Sequence, residues 1–294
     1  MIPPESPSTL GSRLGALAQR LGLIGRAPRQ VLERASQLQL PFTPLPAIED
    51  SICWQEGPPL HRLVELPRGA LSGPVQEDKA DAHATLVRLV ETQEQVVESF
   101  DVRQVDGIYQ CDPAQCRYAS FEAYASCEQC RKVRIISYKD FVKTISLALP
   151  RFLAGERIKL RQASWRGPRI FWTGELHNEA FACAVAYARR RELEITLPAD
   201  ITHYRLSPAG IETLQKRYHA LAMPNATWSD PAFMALLLEN GLPYARLSLL
   251  RNPGDPEVLL LPKHSADANA LGEGLRLAGA PDVVEYLQQL AQQA

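Results

Sequence analysis

Four cysteines, Cys111, Cys116, Cys127 and Cys130, lie within twenty residues of each other. Their spacing is C-x4-C and C-x2-C with ten residues between the pairs. A close cysteine pair lets two thiolates converge on one ion at about 2.3 Å, and two pairs complete the tetrahedron that zinc prefers. A closed four-thiolate shell leaves no position for water, so the zinc expected here is structural. The nearby Arg131, Lys132 and Arg134 would offset the negative charge of such a centre. The same residues also suit an iron-sulfur cluster, a disulfide or a C-x-x-C redox pair. Cys53 and Cys183 lie far from the cluster in sequence. Cys183, inside the apolar run Ala180–Ala186, reads as an ordinary buried thiol.

The second set of residues is basic. Between Gln115 and Ile170 stand Arg117, Arg131, Lys132, Arg134, Lys139, Lys143, Arg151, Arg157, Lys159, Arg161, Arg166 and Arg169, against Glu122, Glu128, Asp140 and Glu156. The whole chain has a formal net charge of -1, so the asymmetry is local. A basic segment interleaved with Trp165, Phe171 and Trp172 could follow a phosphate backbone and stack on bases. Arg131, Lys132, Arg134, Lys139 and Lys143 are the expected nucleic-acid contacts. The alternative is that these side chains point outward from different faces and never converge.

The third set is a turn, Gly174-Glu175-Leu176-His177-Asn178-Glu179, directly after the apolar Ile170-Phe171-Trp172. Glu175 and His177 combine a carboxylate with the side chain that titrates near neutrality, so they are candidate catalytic residues. At a helix start they could equally serve as caps. No Gly-x-Ser-x-Gly, phosphate-loop or His-Glu-x-x-His pattern occurs in the chain, so the common hydrolase signatures are missing.

These residues need elements to hold them. With 294 residues and 46% hydrophobic content the chain can build a substantial core. No run approaches the length of a membrane helix, and the N-terminus carries no signal-peptide pattern. The expectation is a cytoplasmic protein with no membrane partner. Residues 1–40 read as an N-terminal helical segment. Residues 41–76, with seven prolines, read as an extended linker, and 77–294 as an α+β domain containing the knuckle at 111–130. Periodicity gives a helix over 76–100, strands at 105–109 and 133–138, and a helix over 140–153. It then gives strands at 158–163 and 169–172, a helix over 176–191, a strand at 194–197 and a helix over 208–221. A hairpin follows at 244–250 and 258–261, then a helix from 281. The expected fold is a mixed sheet with flanking helices, an N-terminal helical segment and an inserted zinc knuckle.

Two local stretches resemble known families. Leu17-Ala18-Gln19-Arg20-Leu21-Gly22-Leu23 followed by Pro28–Ala35 resembles the two helices of helix-turn-helix proteins, which implies a groove-reading second helix. The order of elements from Asp140 to Ile201, with Gly174 and Glu175 opening a helix and His177 in the position of a basic residue, is similar to the nucleotide-binding region of ParB-like and sulfiredoxin-like proteins. That resemblance implies phosphates held at a helix N-terminus. The chain as a whole resembles a bacterial protein family of unknown function. The leading expectation is a non-catalytic binding protein with structural zinc and a nucleic-acid-binding segment. The alternatives are a protein-protein module such as an inhibitor or immunity protein, and a nucleotide-binding protein using the Gly174 turn.

Overall fold

The computed structural model describes residues 26–112, 115–239, 241–248 and 256–292. In chain order its elements are α1 (Arg26–Ser36), β1 (Leu71–Ser72), α2 (Gln76–Leu86), β2 (Val90–Asp101), β3 (Val105–Ile108), α3 (Phe121–Ala125), α4 (Tyr138–Ala148), β4 (Ile158–Ala163) and β5 (Ile170–Trp172). There follow α5 (Asn178–Arg190), β6 (Thr196–Leu206), α6 (Pro208–Arg217), β7 (Tyr218–Met223), α7 (Pro231–Glu239), β8 (Ala245–Leu247), β9 (Glu257–Pro262), α8 (Ala266–Leu277) and α9 (Val283–Gln292). The fold is α+β with two sheets, and it divides into two compact units built from interleaved stretches of chain.

One unit holds 26–44, 68–83 and 214–283. Its sheet runs β1-β8-β9-β7, antiparallel throughout, and β8–β9 is the expected C-terminal hairpin. Helix α1 packs on α8. Gly274 permits the approach, because a Cβ there would come within 2.5 Å of the Ala35 Cβ and 2.8 Å of the Leu32 carbonyl oxygen. The buried Val31 and Ala35 put the apolar face of α1 into this core. The first helix of the helix-turn-helix resemblance lies outside the described residues.

The other unit holds 45–67, 84–213 and 284–292. Its sheet is mixed, in the order β2-β6-β4-β5-β3, with β3 parallel to β5 and β4 parallel to β6. Alternation along β6 buries Leu197, Ala199 and Ile201, as a strand with one core face requires. Helices α3 and α4 both pack on α5. The core joins Phe121, Phe141, Ile145, Trp172 and Phe181, and the Trp172 and Phe181 rings stack at 4.0 Å.

The structure departs from the periodicity in several places, among them β6, expected at 194–197 and observed over Thr196–Leu206. The helix expected over 76–100 stops at Leu86, and Val90–Asp101 is a strand. Val90, Val96 and Phe100 fall at the even separations of a strand and Val90, Val97 and Phe100 at the seven and three of a helix, and antiparallel pairing with β6 along nearly the whole strand decides for the one that satisfies the backbone. No strand forms at 133–138, because Ser137 and Asp140 build a reciprocal capping box that starts α4. The helix from Pro208 ends at Arg217, where β7 begins and pairs with β9.

Candidate functional site

The six cysteines assemble differently from their sequence grouping. Cys53, remote in sequence, is joined to Cys111 by a disulfide. The surroundings position the pair: Cys53 pairs with Ile108 in an isolated parallel bridge, and the Ile108 amide donates to the Ile52 carbonyl at 2.7 Å. Cys116 sits apart, its thiol 3.7 Å from the Asp112 carbonyl oxygen, and burial pushes that thiol up. Cys127 and Cys130 stay together, and the third thiol beside them is Cys183 from α5. Cys130, Cys183 and Tyr124 belong to one buried core, and Cys127 packs against it. The neighbouring Cys183 thiol, with burial, holds the Cys130 thiol far above its usual range, and Cys183 is drawn down. Gln115 donates to the Tyr124 hydroxyl at 2.6 Å, and burial pushes that hydroxyl up. Among the described residues, no group of three or more His, Cys, Asp or Glu is arranged to hold a metal. Four thiolates on one ion would require Cys111 to leave Cys53 and Cys116 to join Cys127 and Cys130.

The basic segment separates into two classes. Four of its arginines serve the fold. Arg157 bridges Glu98 at 2.9 Å and Asp200 at 3.1 Å. Arg161 lies 4.4 Å over the Tyr109 ring. Arg166 is buried and donates to the carbonyls of Ser51, Cys53 and Glu56. Arg169 pairs with Asp50 at 3.2 Å and donates to the Ala119 carbonyl. The five residues expected to meet nucleic acid are different: Arg131, Lys132, Arg134, Lys139 and Lys143 are all exposed. Of these, only Arg131 comes within salt-bridge reach of a carboxylate among the described residues, Glu128 at 4.0 Å. The one carboxylate inside 131–143 is Asp140, which accepts hydrogen bonds from Ser137 and Ile136 and is held below its usual range by them. Trp165, Phe171 and Trp172 are buried, so they are not the stacking surface. Ile136 and Tyr138, 61% and 58% exposed, lie among the cations instead, and Tyr138 is braced by stacking on Phe141.

Gly174 is dictated by packing, since a Cβ there would fall 1.8 Å from the Trp172 indole. His177 occupies the N-cap position of α5 in the left-handed region, φ 54°, and its side chain caps nothing. Glu175 is exposed and lines a cavity of about 460 Å³ with Gln55, Tyr109, Gln110, Cys111, Asp112, Gln115 and Asn178. Asn178 donates to the Gln110 carbonyl at 2.6 Å. The helix, strand, strand, helix, strand order from Asp140 to Ile201 is observed as α4, β4, β5, α5, β6. The charged side chains lining the cavity before α5 are the carboxylates Asp112 and Glu175, which repel phosphate.

A family of unknown function, DUF6685, matches residues 95–294, about two thirds of the chain, including the basic segment, the Gly174 turn and all the cysteines except Cys53. The chain belongs to this family. No curated protein and no solved structure matches it. Within the DUF6685 region, sequence reasoning missed Cys183 as a neighbour of Cys130, because an alanine-rich helix gives no sign of which thiol it brings to a distant turn. It also missed Ile136 and Tyr138. Their signal was present, since apolar residues alternate with cations through 131–139, but it reads equally as a strand. No helix among the described residues is long and apolar enough to cross a membrane.

Proposed function

We propose that this DUF6685 protein binds single-stranded nucleic acid through the segment Arg131–Lys143. The observation that carries the reading is the exposure of five cations in one short stretch, with Tyr138 and Ile136 standing out among them. Cations that do no internal work are available to replace the counterions of a phosphate backbone, and an exposed, braced tyrosine offers a face on which a base can stack. Arg131 and Lys132 end a short 3-10 turn, residues 133–137 connect it to α4, and Lys139 and Lys143 lie on the first turns of that helix. A zinc knuckle over 111–130 is a proposal for the reduced chain alone. Its support is the C-x4-C and C-x2-C spacing, and it requires the Cys53–Cys111 bond to open.

The reading is tested by fluorescence anisotropy with labelled single-stranded and duplex oligonucleotides. Binding at low salt should favour the single strand, and Tyr138→Ala should weaken it by about 1–3 kcal/mol, the worth of one stacked base. A Tyr138→Ala variant that binds as wild type, or a wild type that ignores both oligonucleotides, would remove the reading. A protein partner is the competing class, and tight capture of one defined protein with no oligonucleotide binding would favour it.

A further inference from the structure

Strand β2 is an edge of its sheet, with β6 on one side and, among the described residues, no strand on the other. Residues 91–96 are all exposed, and Val96 is 66% exposed. The strand carries Glu91, Glu94, Glu98 and Asp101 and no lysine, arginine or proline. Two copies of β2 laid edge to edge would bring two rows of carboxylates together, so this edge is closed to itself and open to a cationic strand. The chain contains such a segment. Val133-Arg134-Ile135-Ile136 is rich in β-branched residues, yet it joins neither sheet. Val133 and Ile135 pack against the core, while Arg134 and Ile136 are exposed. Among the described residues, the Arg134 and Ile135 amides have no backbone partner.

From this complementarity we infer that the chain associates with a second copy of itself, residues 133–136 of one copy adding to the β2 edge of the other. The spacing sets the register. Glu94 and Val96 lie two apart on one face of a strand, and Arg134 and Ile136 have the same separation. Parallel alignment places Arg134 opposite Glu94 and Ile136 opposite Val96, an ion pair beside an apolar pair. Antiparallel alignment of Arg134 with Glu94 would instead leave Val96 facing Lys132. Glu94 accepts one hydrogen bond, from the Thr202 hydroxyl at 3.0 Å, and keeps lone pairs for a cation. Backbone hydrogen bonds along the edge would supply affinity, and these two side-chain pairs would select partner and register. The association needs no nucleic acid, so it stands apart from the oligonucleotide reading, although both use Arg134 and a second copy would compete for it.

The test is sedimentation velocity of the full chain, free of nucleic acid, over a range of protein concentrations. Wild type should pass from single copies to larger species as concentration rises, and more readily at low salt than at high salt. Glu94→Lys sets a cation against Arg134, and Arg134→Glu sets a carboxylate against Glu94, so each variant alone should need a several-fold higher concentration to associate. An equimolar mixture of the two variants restores opposite charges at the contact, Lys against Glu in one direction and Glu against Arg in the other. The mixture should therefore associate more strongly than either variant alone, a recovery that misfolded variants could not show. Wild type that stays a single copy at every concentration, variants that associate as wild type does, or a mixture no stronger than its components would overturn the inference.

Discussion

The Arg166 guanidinium donates to the Cys53 carbonyl oxygen at 3.1 Å, fixing the backbone of the residue whose sulfur is bonded to Cys111. The same side chain donates to Ser51 and Glu56 carbonyls and lies 5.2 Å from the Phe171 ring centroid. One arginine from the β4–β5 connection thus anchors the irregular stretch around Cys53. Burial, with Arg169 nearby, lowers its pKa to about 10, and it stays charged at neutral pH.

Arg166→Ala should therefore lower unfolding stability by about 3 kcal/mol, since it removes the guanidinium from three carbonyls, of which that of Cys53 keeps the Glu56 amide at 3.3 Å, and leaves a gap in the packing. Arg166→Lys should rescue only part of this, because one ammonium cannot reproduce the planar fork. Urea denaturation measures both. An alanine variant within about 0.5 kcal/mol of wild type would show that this anchor is not needed.

His61 gives a pH dependence with a defined sign. It packs between Trp54 at 5.4 Å and Tyr204 at 5.9 Å, and burial followed by repulsion from Arg161 and Arg62 lowers its pKa from 6.5 to about 4. The folded protein disfavours the protonated ring, so its contribution is fully present above pH 6.5 and is lost as the pH falls towards 4. Stability should drop by about 2–3 kcal/mol across that window from this group. Asn in place of His61 should flatten the slope in denaturation curves taken between pH 4 and 7. An unchanged slope in His61→Asn would assign it to other groups.

The turn before α5 separates strain from capping. His177 holds a left-handed backbone conformation at φ 54° and makes no capping hydrogen bond, so His177→Gly should be neutral or stabilise the fold by up to about 1 kcal/mol. Gly174→Ala should act in the opposite sense, because the added methyl overlaps the Trp172 ring. It should disturb the near-ultraviolet circular dichroism of that tryptophan. A loss of stability in His177→Gly comparable with a lost cap, about 0.5–2 kcal/mol, would contradict this reading of the turn.

The sequence made the α+β class legible, together with β4, β5, α5 and the C-terminal hairpin: β4 and β8 alternate as half-buried strands do, while β5, β9 and α5 are apolar runs buried along most of their length. It did not reveal β2, whose apolar residues fit two periods until the pairing with β6 resolves them. The exposed cations Lys132, Arg134, Lys139 and Lys143 stand out as a cluster in sequence, but nothing in the residue types separates them from Arg157, Arg161, Arg166 and Arg169, which the fold draws into internal contacts. Cysteine spacing placed Cys127 beside Cys130. Neither the Cys53–Cys111 bond, with its separation of 58, nor Cys183 has a local signature, since long-range sulfur contacts are made by the topology of the sheet and α5.

The central claim is that the exposed segment 131–143 replaces counterions on a nucleic-acid backbone. It is tested most directly by the salt dependence of single-stranded oligonucleotide binding for wild type and for Arg131→Gln, Lys132→Gln, Arg134→Gln combined. Each phosphate contact on a single strand contributes about 0.7 to the slope of log affinity against log salt. The triple variant should therefore bind more weakly across all sequences, with a slope flatter by roughly 2. Equal affinity and equal slope in the two proteins would contradict the claim.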